Sequence, residues 1–168
     1  KNAATLELIV DPASKKGDLL KFQVNIKNTG CGHYLPTGLT ELRQMWLEIS
    51  VTDAVGKLVY QHGKVDEKGN IESHSTIYHT VFGDESGKPT LHVWSATHII
   101  SDNRIPPKGQ KEEHFVCLVP NDTKSPLKMK AVLHYRCAPQ DVVDALLGEK
   151  SMKLPIIDMT ATSTEISL

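Results

Sequence analysis

The sequence predicts an all-β protein, an antiparallel immunoglobulin-like β-sandwich with one short helix near the C-terminus. Short runs of alternating apolar and polar residues recur along the chain, and clusters of Gly, Pro, Asn and Asp separate them. Strands do not alternate with helices as they do in parallel α/β folds. The 168 residues fit one domain over residues 1–168. Because the first residue is Lys1 rather than Met, we expect this domain to be excised from a larger exported protein.

The predicted strands of the N-terminal half form two hairpins, one on each side of a glycine-rich loop. In the second strand, Phe22 and Val24 alternate with Lys21 and Gln23, which is typical of a strand with one buried face. The four strands are predicted at Thr5–Val10, Leu19–Ile26, Met45–Thr52 and Lys57–Gln61.

The C-terminal half is predicted to contain the remaining strands and the helix. Residues 139–148 predict the helix, because Pro139 lies in its first turn and Gly148 follows the last apolar residue. Residues 63–89 are polar and glycine-rich, which indicates a surface region of irregular structure with one short strand. The strands are predicted at Ile77–Phe82, Leu91–Ile100, Glu113–Val119, Lys128–Tyr135 and, as a terminal edge strand, residues 153–160.

The glycine-rich loop, residues 28–38, has the sequence NTGCGHYLPTG. Gly30, Gly32 and Gly38 allow tight turns and Pro36 restricts the backbone, so we expect a rigid connection. We also expect a positive φ at Gly32, where a β-branched residue such as valine would then destabilise the domain.

His33 and Cys31 lie two residues apart on this loop. The pair is consistent with a metal or haem ligand site, with a redox site or with a purely architectural role, and the residues alone leave these alternatives open. The chain has three cysteines, Cys31, Cys117 and Cys137, so at most one disulfide can form. None of them has C-x-x-C spacing, so we expect no covalently bound haem in this segment.

Charge and motif content exclude several classes of function. The 19 basic and 20 acidic residues are spread along the chain with a net charge of −1, so we expect neither nucleic acid nor an anionic membrane as a partner. No apolar run approaches the roughly 18 residues of a transmembrane helix. A G-x-S-x-G elbow and a phosphate-binding loop are both absent from the sequence, so we expect the protein not to be an enzyme.

Eight histidines keep a divalent-metal site open as a hypothesis. A mononuclear site would need the fold to bring His33 together with His74 or His79, with Asp66 or Asp84 as a further ligand. His92 and His98 would lie about 20 Å apart in one strand, too far to share a metal. The alternative is that these are partly exposed histidines of sheet and loop.

The tryptophans and two arginines have simpler predicted roles. Trp46 and Trp94 are predicted to be buried or half-buried in the sheets, with a carbohydrate-binding platform as the alternative. Arg43, before a strand, and Arg104, in a turn beside Asp102, are predicted to tie loops together through carboxylates or carbonyls.

Two motifs together resemble the non-haem C-terminal β-sandwich domain of multihaem c-type cytochromes. The first is the NTGCGHYLPTG loop, followed by RQMWLEI from Arg43 and the turn DAVGK from Asp53. The second is HVW from His92 with DNRIPPKG from Asp102. Cys31 departs from the pattern, since a small residue is more usual there, and the chain contains no C-x-x-C-H.

The resemblance implies a non-catalytic accessory or docking domain in an electron-transfer protein. It implies an extracytoplasmic location, in the periplasm or at the cell surface, with haem c in an upstream part of the chain. Its partners would be the haem-bearing domains of the same chain or redox partner proteins. His33 would then be either an axial ligand of an upstream haem or a hydrogen-bonding residue within the loop. A histidine-based metal-binding domain or enzyme, and a carbohydrate- or surface-binding β-sandwich, remain the alternatives.

Overall fold

The computed structural model describes residues 3–11 and 15–168, which contain ten strands and one α-helix. The strands of the N-terminal half are β1 (Thr5–Val10), β2 (Leu19–Lys27), β3 (Gln44–Thr52), β4 (Leu58–His62) and β5 (Thr80–Gly83). They are followed by β6 (Pro89–Thr90), β7 (His98–Asp102), β8 (Gln110–Leu118), β9 (Leu127–Arg136), α1 (Gln140–Leu147) and β10 (Ile157–Ile166).

Two antiparallel sheets form the sandwich. One has the strand order β1-β2-β8 and the other β10-β9-β3-β4. The chain passes from one sheet to the other between β2 and β3 and again between β8 and β9, as in the Greek-key connections of immunoglobulin-like domains. The predicted immunoglobulin-like antiparallel β-sandwich is therefore confirmed.

The core lies between these two sheets and is built by strict alternation along three strands. Every second side chain of β2, β3 and β9 points inward and is buried, which stabilises the fold by about 1.5–3 kcal/mol for each large apolar side chain. The inward core residues are Leu20, Phe22, Val24, Ile26, Met45, Leu47, Ile49, Val51, Leu127, Met129, Ala131 and Leu133.

Three turns of the chain share one D-x-x-G design. In each, the aspartate Oδ1 accepts a hydrogen bond from the backbone N–H four residues later, at 2.9 Å for Asp53, 2.7 Å for Asp66 and 3.0 Å for Asp84. The glycine three residues after each aspartate has a φ of +82°, +87° and +80°, respectively. Because glycine adopts positive φ without a steric cost, these turns are encoded locally.

The segment between β4 and β8 forms a small third sheet and is joined to β3 by a backbone bridge. This sheet has the order β6-β5-β7. Ile77 forms an isolated bridge to Trp46, whose side chain is fully buried although it points away from the sandwich core. The region that the composition marks as irregular is thus held against the sandwich.

The prediction of a strand over Leu91–Ile100 is wrong. Val93–Ser95 forms a 3-10 turn, closed by hydrogen bonds from the Ser95 backbone N–H and hydroxyl to the His92 carbonyl, and β7 begins only at His98. His92 and His98 therefore do not share one strand. The short strand predicted at Ile77–Phe82 is found at Thr80–Gly83.

The C-terminal elements agree with the prediction in type and differ in their ends. The helix predicted at 139–148 is found at Gln140–Leu147, but the terminal strand runs over Ile157–Ile166 instead of 153–160. The Gln140 side chain explains this shift, because its amide donates to the Met152 carbonyl and accepts from the Leu154 N–H. These bonds hold residues 152–154 against the helix, so the strand begins later.

Candidate functional site

The glycine-rich loop joins β2 to β3 and is organised by Asn28, which is almost fully buried. The Asn28 side chain donates to the His33 carbonyl at 2.7 Å and accepts from the Cys31 N–H at 3.1 Å. Its own backbone N–H donates to the Gly109 carbonyl at 2.9 Å. One buried amide thus determines the course of the loop on both sides of Gly32.

The loop is also paired with the turn that follows β7. Leu35 and Ile105 exchange both backbone hydrogen bonds, at 2.9 and 2.8 Å, and both side chains are buried. The Leu35–Pro36 peptide is cis. The two motifs that carry the resemblance, although about 70 residues apart in sequence, therefore form one structural unit.

The expectation of a positive φ at Gly32 is wrong. Among the loop glycines it is Gly38 that has a positive φ, of +86°, whereas Gly32 lies outside the left-handed region. A Cβ added at Gly32 would meet no atom of the described chain within 4 Å. Gly32 therefore borders open space, and a side chain there would not strain the backbone.

Asp102 and Arg104 hold each other in the turn after β7. The Arg104 guanidinium donates two hydrogen bonds to the carboxylate of Asp102, at 2.8 and 2.7 Å. This bidentate pairing lowers the pKa of Asp102 and raises that of Arg104. The guanidinium also lies 5.0 Å from the centre of the Tyr34 ring, a cation–π contact that ties the turn to the glycine-rich loop.

Arg43 follows the same loop and reaches β9. Its guanidinium donates to the Tyr135 hydroxyl, while its Nε is buried without a hydrogen-bond partner in the described part of the chain. It also lies beside Gly38, where an added Cβ would be 3.7 Å from Arg43 Nη2. The arginine therefore packs across the base of the loop.

The predicted metal ligands do not form a metal-binding group among the described residues. His74 is exposed, Asp66 is engaged by the N–H groups of its own D-x-x-G turn, and His79 is half-buried with its Nδ1 unpaired. Burial lowers the pKa of His79, and a hydrogen bond with the Glu41 backbone partly opposes this. Over residues 3–11 and 15–168, no three His, Cys, Asp or Glu side chains come together in a way that could hold a metal ion.

His33 projects from the loop into solvent. Its Nδ1 lies 2.9 Å from the backbone carbonyl oxygen of Tyr34, the next residue. No other ring hydrogen bond of His33 is formed with the described residues, so its Nε2 is open. Cys31 beside it is partly buried, and all three cysteines are free thiols.

The two tryptophans differ completely in exposure. Trp46 is buried, with its Nε1 donating to the Gly63 carbonyl at 3.1 Å and the Arg136 guanidinium 5.6 Å from its ring centre. Trp94 is 81% exposed and stacks on His92 at 4.8 Å. The prediction of a buried or half-buried position therefore applies to Trp46 and is wrong for Trp94.

His134, beside Trp46, is a residue that the sequence reasoning did not single out. Its Nε2 lies 3.0 Å from Glu48 Oε2, and its Nδ1 lies 2.9 Å from Asp158 Oδ1 at an angle poorly aligned for a hydrogen bond. This buried imidazole bridges β3, β9 and β10. The register that aligns these three residues depends on strand pairing and has no local sequence signal.

Exposed large apolar side chains occur in several places, among them the cross-strand pair Leu19 and Leu118 of β2 and β8. Two further groups lie near the small third sheet and near α1. We call the exposed apolar residues of the small third sheet and its 3-10 turn the Trp94 patch; they are Leu91, Val93, Trp94, Ile99 and Ile100, of which Ile99 and Ile100 point to opposite faces of β7. The helix patch belongs to α1 and the segment after it, and consists of Leu146, Leu147, Met152 and Ile157. No helix among the described residues is long and apolar enough to span a membrane.

Comparisons with known proteins bear on the fold. No protein-family model matches the chain, and no curated protein matches it. The chain is similar to a penta-haem cytochrome c552 from Thermochromatium tepidum, with a TM-score of 0.64 and 20% identity. The similarity covers 96% of this chain and 39% of the cytochrome, so the chain spans well under half of that protein.

A weaker likeness is to the CARDB domain of the PF1109 protein from Pyrococcus furiosus, whose crystal structure is a complex with di-metal ions. Its TM-score is 0.45 at 10% identity, covering 98% of this chain and 85% of that one. At these identities the comparisons concern the fold alone. The likeness to part of the penta-haem cytochrome supports the β-sandwich fold, and no family is identified for the chain.

Proposed function

We propose that this chain is a non-catalytic docking domain of an extracytoplasmic multihaem c-type cytochrome that takes part in electron transfer. Its partner in this proposal is the haem-bearing part of the same longer chain, which contacts the domain through the Trp94 patch. The proposal combines the sequence resemblance, the fold and the exposure of apolar side chains.

The observation that carries the proposal is the exposure of large apolar side chains in the Trp94 patch. Trp94, in the 3-10 turn, is 81% exposed and Ile99, on β7, is 58% exposed, although the segment that contains them is joined to β3 by the Ile77–Trp46 bridge. Grouped apolar side chains on a protein surface mark contact sites, and tryptophan is enriched among the residues that contribute most to binding. A partner surface that covers this patch would remove the unfavourable hydration of these side chains.

The fold comparison supports a haem-bearing partner. The penta-haem cytochrome continues well beyond the part that this chain matches, since only 39% of it is covered. The glycine-rich loop and the DNRIPPKG turn, which resemble those of multihaem cytochromes, are joined here by the paired backbones of Leu35 and Ile105. Their pairing gives the resemblance a structural reason, because each motif needs the other for its backbone hydrogen bonds.

We propose a non-catalytic role because the polar side chains of the site hold the backbone in place. Asp102 is committed to Arg104, and Asp66 is committed to the N–H groups of its own turn. The imidazole of His134 is buried between two carboxylates, those of Glu48 and Asp158. Each group has a sufficient role in stabilising the fold.

Hydrogen–deuterium exchange tests the docking surface. We expect residues 89–102 to exchange more slowly in the full-length gene product than in the 168-residue chain, because the partner covers the Trp94 patch. W94S combined with I99S should abolish this difference. V116S combined with L118S is the matched control, since both side chains are exposed and apolar but lie on β8 of the sandwich. Equal exchange of residues 89–102 in the two proteins would refute docking at this patch.

Carbohydrate binding is a second candidate, which the exposed indole of Trp94 favours. One face of the indole stacks on His92 and the other can stack on a sugar ring. Trp46 is excluded from such a platform because it is buried. Calorimetric titration with soluble polysaccharides tests this function, and binding that is lost in W94A would support it. Binding unchanged in W94A would exclude the platform.

A further inference from the structure

The hydrogen bond between His33 and Tyr34 determines which ring nitrogen of His33 is available. A backbone carbonyl oxygen can only accept a hydrogen bond, so the Nδ1 that lies 2.9 Å from it must carry the proton. In the neutral imidazole the lone pair is then on Nε2. Nε2 has no hydrogen-bond partner among the described residues. His33 therefore presents a free nitrogen lone pair to the surroundings.

The backbone around His33 is held on both sides. The His33 carbonyl accepts the Asn28 amide at 2.7 Å, and two residues later Leu35 is paired with Ile105. Tyr34, which provides the carbonyl for the ring, is in turn contacted by the Arg104 guanidinium. The ring of His33 is therefore oriented by its hydrogen bond to a backbone that is itself held in place.

Open space lies next to this nitrogen on the chain. Gly32 precedes His33, and a Cβ at that position would meet no described atom within 4 Å. Apart from its chain neighbours, no described residue therefore crowds the loop at Gly32. A bulky residue in place of Gly32 would reduce that space.

His33 differs in this respect from the other exposed histidines of the described chain. His98 has its Nδ1 beside the Thr97 hydroxyl, and His92 is stacked on Trp94. His74 and His114 have no hydrogen bond to either ring nitrogen. Within residues 3–11 and 15–168, only His33 combines an exposed ring with a bond from one ring nitrogen to a backbone carbonyl.

We propose that Nε2 of His33 is an axial ligand for a haem iron that the haem-bearing part of the protein brings to the glycine-rich loop. The inference rests on the proposed function. Histidines that bind metals characteristically donate their second ring N–H to a carbonyl or carboxylate, which sets the tautomer and the ring orientation. Imidazole is a common axial ligand of haem iron, and the geometry of His33 fits this use. The loop would then both contact the haem-bearing part and complete the coordination of one of its haems.

The test compares the full-length gene product with its H33A variant by electron paramagnetic resonance of the oxidised haems. We expect H33A to convert one haem from the low-spin to the high-spin state, since removal of a strong axial ligand leaves the iron five-coordinate. Added imidazole should restore the low-spin signal. A residue that only stabilised the loop would not be replaced by free imidazole. H114A is the matched control, because His114 is exposed on β8, and it should leave every haem unchanged.

The outcomes separate this inference from the proposed function. If the full-length product contains haem and H33A leaves all haem spin states unchanged, His33 is not a ligand, while the docking function stands. A full-length product without haem would overturn both. As a second variant, G32V should weaken or abolish the low-spin signal of the same haem by filling the space beside His33. A domain that remains folded with an unchanged signal in G32V would contradict the proposed approach of the haem.

Discussion

Gly63 provides the most informative test of the fold, because two independent penalties for a side chain coincide there. Its φ is +73°, in the left-handed region, and an added Cβ would lie 1.9 Å from the carbonyl oxygen of Leu47 and 2.9 Å from its carbonyl carbon. These are backbone atoms of β3 and cannot rotate away. Leu47 itself is buried in the core. The substitution G63A must therefore displace β3 or the chain that follows β4.

The cost of G63A can be estimated from these contacts. The left-handed conformation costs about 1–2 kcal/mol for a residue with a Cβ. Displacement of packed core atoms adds about 1–3 kcal/mol. The same displacement can break the hydrogen bond from Trp46 Nε1 to the Gly63 carbonyl, at 3.1 Å, which contributes about 0.5–1.5 kcal/mol to stability. We expect G63A to lower the free energy of unfolding by about 3–5 kcal/mol.

Two other glycines allow these contributions to be separated. Gly56 has a φ of +82° but nothing within 4 Å of an added Cβ, so G56A should cost only about 1–2 kcal/mol. Gly32 has neither a positive φ nor a close neighbour, and G32A should change stability by less than about 0.5 kcal/mol. G32A carries neither penalty, G56A carries only the penalty of the positive φ, and G63A carries that penalty together with the steric contact.

Urea unfolding followed by circular dichroism measures this series, with thermal unfolding as a second readout. Each kcal/mol corresponds to a change in Tm of about 2–4 °C for a chain of this size. We expect the order G32A, G56A, G63A from least to most destabilised. If G63A unfolds within about 1 kcal/mol of G56A, the close approach of Gly63 to β3 is refuted.

Three further predictions concern thiol reactivity, pH dependence and a buried arginine. Burial raises the pKa of Cys117 to about 11, so iodoacetamide should label exposed Cys137 and leave Cys117 unmodified in the native chain. Peptide mass spectrometry measures the labelling, and equally fast modification of both cysteines would contradict this prediction. Burial lowers the pKa of His79 below its ordinary 6.5, so the unfolded chain binds more protons than the folded chain below that pH. The free energy of unfolding should therefore decrease as the pH is lowered from about 7 to 5, and it should decrease less in H79Q. An equal pH dependence of the urea midpoint in both proteins would disprove this. Arg136 is buried and donates to Gln44 Oε1 at 3.0 Å. R136M leaves that oxygen unpaired and should lower the free energy of unfolding in urea by about 2–3 kcal/mol. A decrease of less than about 1 kcal/mol would contradict this contact.

The sandwich is predictable from the sequence because its central strands alternate strictly. In β2 and β3, each apolar residue at an inward position is buried, so the period-two pattern reports the true orientation. The same rule fails at residues 91–100, where the apolar residues face solvent and the chain turns at Val93–Ser95. An alternating pattern predicts a strand only where a second layer covers one of its faces. At the C-terminal strand, polar residues follow the apolar ones, and the extension of β10 to Ile166 depends on pairing with β9.

The candidate site is predictable in its composition and not in its geometry. The glycines and Pro36 indicate a tightly folded loop, and the loop is indeed held by buried Asn28. Its pairing with Ile105 is a long-range contact that no local pattern encodes. The D-x-x-G pattern, in contrast, is local, and its recurrence at Asp66 and Asp84 could have been used to identify two more turns. The exposure of Trp94 depends on what packs around it, so residue type alone assigns it wrongly.

The absorption spectrum and intact mass of the full-length gene product provide the most direct test of the proposed association with haem. A c-type cytochrome shows an intense Soret band, and each covalently attached haem adds its own mass to the polypeptide. We predict both signals, with the haem located outside the 168 residues described by this sequence. A colourless full-length protein at its unmodified polypeptide mass would contradict a role as the docking domain of a multihaem cytochrome.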